Sequence, residues 1–405
     1  MLFRLAWRNV WRNHLRSGIM ISAMIFGLLG AVLMSGFVIA MTKSMIDNAI
    51  RYQTSHLQLH SQEFLVSEEL AAWLPGAETL AAKVRQQPGV AAVTVRQLVD
   101  GMLASAASSR GVRINGIDLE QEIAVTALQE SLVEGSLLPS SGRNPIMVSL
   151  RNAERLNLRL GSKVVLTFTD IAGEVTGAAF RVCGFFKTPL SGFDDSSVYV
   201  RRNDLSNLTG LEEAHELAVR IAVDADLGRV KKALIDMAEE RSVVRDWGEI
   251  QPVLAAMTGS VEQTNAILAA VFMAALGFGI VNIMLMSIFE RTREFGVLMA
   301  TGMTKARVMA LIVIEALFLG GSGGLLGMAV SWLVLGLLAR VGLPFGAMAE
   351  GLGVYGVDTV LYPEVPATYY LAMFALVLVT SLLAALYPAR QILRKSPLEA
   401  LAERH

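Results

Sequence analysis

Four long stretches of the chain contain almost no charged side chains: residues 17–42, 263–289, 308–339 and 365–389. Each is longer than the roughly 20 residues that a helix needs to cross the hydrocarbon core of a bilayer. Within these stretches, only Glu315 is charged. The pattern therefore predicts an α-helical membrane protein with four transmembrane helices.

Residues 1–16 have a different pattern, in which aromatic residues recur at every fourth position from Phe3 and arginines at every fourth position from Arg4. A helix of this kind lies along a membrane surface, with its aromatic side chains among the lipid headgroups and its arginines at lipid phosphates. We predict that residues 1–16 form such an interfacial helix on the cytoplasmic side. Its expected membrane-surface anchors are Trp7, Trp11, Arg4, Arg8 and Arg12.

The segment between the first two apolar stretches, residues 43–262, alternates strand and helix patterns. The order strand, helix, strand is predicted near its start and again near its end. We therefore expect that about residues 50–100 and 214–250 fold together as a split β-α-β part, around a β-rich insertion at about residues 101–213. This predicts a large α+β extracytoplasmic domain. From about Pro252 the pattern is helical and predicts one unbroken helix into the second span.

Lysines and arginines cluster at one end of each predicted span. They are Arg4, Arg8, Arg12, Arg16, Arg291, Arg293, Lys305, Arg307, Arg390, Arg394 and Lys395. The loop of residues 340–364 has instead one arginine against three acidic residues. Because basic residues are enriched in short cytoplasmic segments, we predict that both termini, residues 290–307 and the tail 390–405 are cytoplasmic. Residues 43–262 and 340–364 are then on the opposite side.

Composition excludes several classes of function. Of 405 residues, 53% are hydrophobic and 18% are charged, and the formal net charge is −1. This balance argues against a nucleic-acid-binding protein, which needs a broad basic face. The single cysteine, Cys183, excludes an intrachain disulfide and a thiolate metal cluster.

The sequence shows no catalytic constellation. Residues 161–163 lack the remaining positions of a P-loop, so the chain is not expected to hydrolyse ATP itself. His56 and His60 are four residues apart but have no third ligand nearby, which disfavours a metal site. Asp194 and Asp195 follow a glycine and are predicted to lie in a turn.

Glu315 is a candidate functional residue, because ionisable residues inside a span are costly and rare. It lies about two turns from Arg307, near enough to the membrane surface to pair with a basic residue or a helix end. The same span has two glycine pairs with small-x-x-x-small spacing: Gly320 with Gly324, and Gly323 with Gly327. Such pairs allow helix backbones to approach closely, so we predict helix packing here, as at a subunit interface.

Residues 290–302 read ERTREFGVLMATG. This stretch resembles the signature between the second and third spans of the FtsX/MacB-type (type VII) permease superfamily of ABC transporters. Residues 387–401, YPARQILRKSPLEAL, are similar to the ending of that family. The stretches INGID, LVEGSLL, AERLNLRLGSKVVL and FRVCGFF resemble its periplasmic core domain. The resemblance extends over essentially the whole chain.

The resemblance implies that residues 290–307 form a coupling segment that docks on a separate ABC ATPase. The coupling residues would be Glu290, Arg291, Arg293, Glu294, Phe295, Leu298, Gly302, Lys305 and Arg307. It also implies two ATPase copies, which bind ATP and Mg, and a second permease that is identical or paralogous. No cofactor is expected on this chain, which would not itself be an enzyme.

Without a fused ATPase, the chain resembles the lipoprotein-releasing (LolC/LolE-like) permeases of the bacterial inner membrane. The implied function is mechanotransmission: ATP-driven motion rearranges the periplasmic domains and releases lipoproteins or similar lipophilic cargo. A periplasmic chaperone or adaptor is a further expected partner. Two alternatives stay open, namely efflux of an antibiotic, peptide or other amphiphile with an outer-membrane channel, and non-transporting regulation of a periplasmic enzyme.

Overall fold

The computed structural model describes residues 2–12, 14–238, 241–344, 351 and 353–393. The chain divides into two compact units. The helical unit comprises Met1–Met41, Gly259–Pro344 and Val360–His405, and the sheet unit comprises Thr42–Thr258 and Phe345–Thr359. The part of the predicted family ending from residue 394 onward lies outside the described residues.

The α-helices are, in chain order, α1 (Leu2–Arg12), α2 (His14–Ala49), α3 (Phe64–Ser67), α4 (Ala77–Val84), α5 (Leu119–Val125), α6 (Leu128–Ser131), α7 (Leu150–Arg155), α8 (Ser191–Ser196), α9 (Arg202–Thr209), α10 (Leu227–Met237), α11 (Trp247–Ile250), α12 (Pro252–Gly259), α13 (Val261–Glu290), α14 (Thr292–Ala300), α15 (Lys305–Val341) and α16 (Ala367–Leu393). A π-helical turn, Ile50–Thr54, continues α2, and a 3-10 turn lies at Gly353–Tyr355.

The strands are β1 (Leu57–Ser61), β2 (Val90–Ala104), β3 (Ser109–Ile117), β4 (Leu132–Gly135), β5 (Pro145–Ser149), β6 (Lys163–Thr169), β7 (Val175–Phe186), β8 (Ser197–Arg201), β9 (Glu216–Ile221), β10 (Ser242–Asp246), β11 (Leu343–Pro344) and β12 (Val360–Leu361).

Among the described residues, four helical segments are long and apolar enough to cross a membrane. They are Ser17–Thr54, Pro252–Glu290, Lys305–Val341 and Ala367–Gln391. The prediction of four transmembrane helices with an α+β domain between the first and second is therefore confirmed. The helical unit has its own core, which includes Met24, Ile280, Phe295, Ile312 and Val377.

The second membrane segment consists of two helices, α12 and α13, which are separated by Ser260. The prediction of one unbroken helix from Pro252 is wrong. Glycine is a poor helix former, and Gly/Ser pairs are common sites of helix interruption; Gly259 and Ser260 form such a pair. The Thr264 N–H donates to the Ser260 carbonyl at 2.8 Å, so α13 begins directly after the break.

The N-terminal helix is shorter than predicted, because α1 ends at Arg12 and α2 begins at His14. The Ser17 hydroxyl donates a hydrogen bond back to the Val10 carbonyl, across the junction between the two helices. The face of α1 that carries Ala6 and Val10 is buried in the core of the helical unit.

In the sheet unit, β1 is antiparallel to both β9 and β10, and β9 is antiparallel to β2. The two predicted β-α-β units are thus β1-α4-β2 and β9-α10-β10, joined in one sheet. Inward-pointing residues such as Leu59, Val95 and Val219 pack against Ala81 of α4 and Leu234 of α10 in one core. The alternation of apolar and polar residues places these side chains on the helix-covered face.

The β-rich insertion continues the same sheet. β2 pairs with β9 along its first half, and with β3 and β6 along its second half. The complete strand order is β10-β1-β9-β2-β3-β8-β5-β7-β4, with β6 paired to β2 and β7. The boundary that we expected near residue 100 falls inside β2, so the two parts share a strand.

The structure shows where two pairs of polar residues singled out in the sequence lie: Asp194 with Asp195, and His56 with His60. Asp194 and Asp195 lie in α8, not in a turn. Asp194 accepts hydrogen bonds from the backbone N–H and the hydroxyl of Thr188, at 3.0 and 2.8 Å, which stabilises this short helix in its place. His60 lies in β1 with Nε2 at 3.0 Å from Gln58 Oε1, whereas His56 precedes the strand. Among the described residues, no group of three potential metal ligands occurs.

Candidate functional site

The predicted coupling segment folds as a short helix between two spans. α13 ends at Glu290 and α14 begins at Thr292, with Arg291 between them in a non-helical conformation. Phe295 of α14 is only 1% exposed and belongs to the core of the helical unit, and Leu298 packs against this core. The opposite face of α14 is solvent-accessible, as expected for an amphipathic helix with a 3.6-residue period.

α14 ends in a Schellman motif at Gly302. The Gly302 N–H donates to the Met299 carbonyl at 3.1 Å, and the Met303 N–H donates to the Leu298 carbonyl at 2.9 Å. Gly302 has φ +98°, a left-handed conformation that strongly favours glycine. The motif satisfies carbonyls at the helix end and turns the chain toward α15.

Arg291 is the centre of a polar network. Its guanidinium donates to Glu294 at 2.9 Å and to both carboxylate oxygens of Glu315 at 3.1 and 3.2 Å. It also lies over the Phe295 ring, with its central carbon 5.2 Å from the ring centroid. One side chain thus connects the α13–α14 junction to α14 and α15.

Glu315 is 7% exposed and lies within α15. Besides Arg291, it accepts a hydrogen bond from the side-chain amide of Asn9 on α1 at 2.6 Å. A buried carboxylate in a span is tolerated only when it is paired and hydrogen-bonded. The structure therefore pairs Glu315 with a basic residue, as its position in the sequence suggested.

A second ion pair joins α1 to α14. Arg12 donates to Glu294 at 2.8 Å, with 54% and 45% of the two side chains exposed. Burial alone would raise the pKa of Glu294, but hydrogen bonds from Arg291 and Arg12 outweigh it and lower that pKa. Burial by itself would lower the pKa of Arg291, and the charges of Glu315 and Glu294 raise it instead. Arg291 and Glu294 thus stabilise each other in their charged forms.

The sequence did not point to Asn9, although a signal was available. Asn9 lies on α1, three residues after the buried Ala6 and directly before the buried Val10. A polar side chain beside a buried helical stripe usually has a polar partner. That partner, Glu315, is 306 residues away in the chain, so no local pattern identifies it.

The outer surface of the segment is exposed and mostly basic. The exposed members of the predicted coupling set are Glu290, Arg293, Glu294, Gly302, Lys305 and Arg307, and Val297 beside them is 51% exposed. The side chains of Arg293 and Arg307 make no hydrogen bond or ion pair with any residue that the structure describes. We refer to the three exposed residues Arg293, Val297 and Arg307 together as the basic patch.

The glycines of α15 pack against helices of the same chain. A Cβ atom added at Gly320 would lie 2.7 Å from Ser381 Cβ of α16, and one at Gly324 would lie 3.1 Å from the Phe374 ring. Two further glycines, Gly323 and Gly327, face α2 in the same way, at Met24 and Leu28. The predicted helix packing at these glycines is therefore made by α2 and α16 of the same chain, and a contact of this span with a second subunit stays a prediction.

The predicted anchors on α1 fall into two groups, namely residues that are exposed and residues that contact other parts of the chain. Phe3 and Trp7 are 66% and 50% exposed, and the Trp7 ring lies edge-on to Phe318 at 5.3 Å between centroids. Arg4 and Arg8 are also exposed. Trp11 instead packs against the core of the helical unit, and Arg12 pairs with Glu294. These last two residues therefore also contact other parts of the chain, and their role at the membrane surface stays a prediction.

Comparisons with family models cover both units. Residues 17–237 match the MacB-like periplasmic core domain, and residues 266–397 match the FtsX-like permease C-terminal region.

Two similar proteins align with this chain over different fractions of its length. The lipoprotein-releasing system transmembrane protein LolC of Neisseria meningitidis serogroup B is 27% identical over 74% of this chain and 75% of its own length. The macrolide export ATP-binding/permease protein MacB of Hyphomonas neptunium is 34% identical over 40% of this chain, and only 21% of its length is aligned. The crystal structure of the periplasmic region of MacB from Actinobacillus actinomycetemcomitans covers 52% of this chain and 97% of that chain, at 17% identity and a TM-score of 0.38.

Proposed function

We propose the function of this chain from its family: it belongs to the ABC transporter permeases that have a MacB-like periplasmic core domain and an FtsX-like C-terminal region. In our proposal it is the permease of a transporter in which a separate ATPase, present in two copies, binds ATP and Mg. A second permease, identical or paralogous, completes the complex. The observation that carries the proposal is the exposed pair Arg293 and Val297 on α14, whose other face packs in the core of the helical unit, together with the exposed Arg307 at the start of α15.

The ATPase docks on the basic patch and moves α14. Arg291 and Glu315 pass this movement to α13 and α15, because breaking their buried pair would leave an unpaired charge. The Asn9 amide, which donates to Glu315 at 2.6 Å, joins α1 to the same group. Since α2 and the α12–α13 pair lead by chain connectivity into the sheet unit, movement of the spans reaches the extracytoplasmic domain.

The orientation follows the distribution of basic residues. Arg4, Arg8, Arg293 and Arg307 all belong to segments predicted to be cytoplasmic. The protein is then a multi-pass protein of the bacterial inner membrane, with both termini in the cytoplasm and the sheet unit in the periplasm.

The cargo that we favour is a lipoprotein or a similar lipophilic molecule, released from the membrane. The LolC-type relative aligns over three quarters of both chains, across spans and domain alike, which supports this choice over macrolide export. Export of an antibiotic, peptide or other amphiphile is the second candidate, and it is favoured by the higher identity of the shorter match to MacB.

A purification of the complex from detergent-solubilised membranes, with ATP and without, tests the proposal. We expect an ABC ATPase, a permease and a lipidated protein to co-purify, as identified by mass spectrometry. Recovery of the ATPase with an outer-membrane channel or periplasmic adaptor in place of the lipidated protein would move the assignment to efflux. A complex that contains no ATPase would refute the transporter function.

A charge reversal tests the docking surface. Arg293→Glu should abolish stimulation of the partner ATPase and leave membrane insertion unchanged, because Arg293 is exposed and has no partner among the described residues. Arg340→Glu is the matched control, since Arg340 is exposed at the other end of α15. Equal activity of the two variants would contradict docking at the basic patch.

A further inference from the structure

The end of α2 changes from an α-helix to the π turn Ile50–Thr54 shortly before β1 begins. The Ser55 N–H donates to the Ile50 carbonyl at 3.0 Å. This acceptor is five residues earlier in the chain, whereas in an α-helix it is four residues earlier. Single π turns of this kind are rare and are often found at functional sites. The π turn lies entirely in the sheet unit.

Ser55, directly after the π turn, has a strained backbone. Its φ is +57° and its ψ is −168°, near the edge of a region that is occupied essentially by glycine. The Ser55 hydroxyl does not offset this strain, because it is buried and makes no hydrogen bond with any described residue. The Nδ1 atom of the next residue, His56, is also buried and has no partner among these residues. The two side chains therefore do not stabilise the conformation in which they are held.

The sheet unit instead holds the π turn through two of its backbone carbonyls. The Ala127 N–H, between α5 and α6, donates to the Arg51 carbonyl at 2.9 Å. Arg96 of β2 donates from Nη1 to the Gln53 carbonyl at 3.3 Å. In a regular α-helix the Arg51 carbonyl would accept from the Ser55 N–H. The acceptor that a regular turn would use is thus taken by Ala127.

Arg96 is itself fixed in the sheet unit. It is 6% exposed, and its guanidinium donates to both carboxylate oxygens of Glu122, at 2.7 and 2.9 Å. It also donates to Glu216 at 2.6 Å. Because both carboxylates are buried, displacing Arg96 would leave buried charges unpaired. Arg96 therefore holds the Gln53 carbonyl from a position that does not follow movements of the turn.

We propose that residues 50–55 form a two-position joint between α2 and β1, and that Arg96 and Ala127 hold this joint in its strained position. In the other position the Ser55 N–H donates to the Arg51 carbonyl, and the turn is a regular α-helical turn. Ser55 then leaves its strained conformation, and Ala127 and Arg96 lose their acceptors on the turn.

The joint deepens the proposed function and rests on it in one respect: α2 leads into the sheet unit through this turn, so movement of α2 acts on the turn first. The test of the joint uses this chain alone, without an ATPase. Its failure is therefore distinguishable from failure of the proposed function, which depends on finding an ATPase in the complex.

Hydrogen–deuterium exchange of the full chain in lipid nanodiscs tests the proposal, with mass spectrometry that resolves the amides of residue 55 and Ala127. Rates are corrected for the intrinsic exchange of each amide. Ser55→Gly removes strain only from the present position, so we expect it to slow exchange of both amides by roughly tenfold. Ser55→Val should speed exchange of both amides by roughly the same factor, because a β-branched residue is poorly tolerated at positive φ.

Two further variants test what holds the joint and what is specific to it. Arg96→Lys should speed exchange of both amides, because an ammonium group cannot reach all the partners of a guanidinium at once. If Arg96→Lys does not fold, the two Ser55 variants still decide. Asn157→Gly is the matched control, since Asn157 has φ +51° in the connection between α7 and β6. It should leave the amides of residue 55 and Ala127 unchanged.

A change at residue 55 without a change at Ala127 would overturn the proposal, because the strain would then be local and the turn would have no second position. Equal exchange rates in the unmodified chain, Ser55→Gly and Ser55→Val would also overturn it. The same slowing in Asn157→Gly as in Ser55→Gly would overturn it as well, since the effect would then reflect the stability of the whole sheet unit.

Discussion

Replacing Arg291 by methionine removes the centre of the polar network. Only 12% of the Arg291 side chain and 9% of the Glu315 side chain are exposed, so the substitution leaves a nearly buried carboxylate with one remaining hydrogen bond, from Asn9. Breaking a buried pair by removing one partner typically costs about 3–5 kcal/mol. The site lies near the end of a span, where water is close, so we expect about 3 kcal/mol, at the lower end of this range.

Removing both partners should cost much less than removing either. In Arg291→Met/Glu315→Leu no charge stays unpaired, and well-packed apolar replacements of buried ion pairs are often neutral in stability. We expect the sum of the two single losses to exceed the loss in the double variant by at least about 2 kcal/mol. The pair Arg12 and Glu294 is the control, because both side chains are about half exposed. The coupling energy of such an exposed pair stays below about 1 kcal/mol.

The assay is unfolding of the full chain in mixed detergent micelles by added SDS, followed by far-UV circular dichroism. Arg291→Lys provides a further test, because an ammonium group cannot reproduce the fork that reaches two carboxylates at once. It should recover only part of the stability. Additive losses for Arg291→Met and Glu315→Leu would refute the reasoning, since the two side chains would then act independently.

Three further predictions concern other parts of the chain. Gly302→Ala should destabilise the α14–α15 turn by about 1 kcal/mol, because an alanine is strained at φ +98°; the same SDS titration measures the loss. Gly327→Val should prevent α15 from packing on α2 and yield aggregated protein on size-exclusion chromatography, whereas Gly336→Val, where an added Cβ meets nothing within 4 Å, should not. Burial raises the pKa of Asp194 from 3.8 to about 6. The folded state therefore binds a proton more tightly than the unfolded state, and stability falls as the pH rises from about 4 to 6. Asp194→Asn should lack this dependence, worth on the order of 2 kcal/mol, in thermal unfolding compared at pH 4 and pH 7.

Much of the coupling segment could be read from its sequence. The resemblance counted Phe295 and Leu298 among the coupling residues, but Phe295 is buried in the core of the helical unit and Leu298 packs against it, so these two side chains support the segment and do not form its exposed surface. The resemblance to the permease family is confirmed by both family models. Whether the segment binds an ATPase stays a prediction.

Other expectations failed for physical reasons. A run of apolar residues does not reveal a break, so the interruption at Ser260 was missed, even though Gly259 precedes it. Small-x-x-x-small spacing shows that a helix allows close approach, but not which helix approaches. On sequence grounds the α15 glycines could face another subunit or the same chain, and the structure packs them against α2 and α16.

The sequence by itself determined the four spans and the α+β domain between the first two. These features follow from hydrophobic periodicity, which is a local property of each element. Only the tertiary structure decided that Asn9 and Arg291 meet at Glu315. The local sequence pattern indicates which side of a helix or strand is apolar. The partner of a polar side depends on elements that are hundreds of residues apart in the chain, and these are brought together only when the spans and the sheet pack.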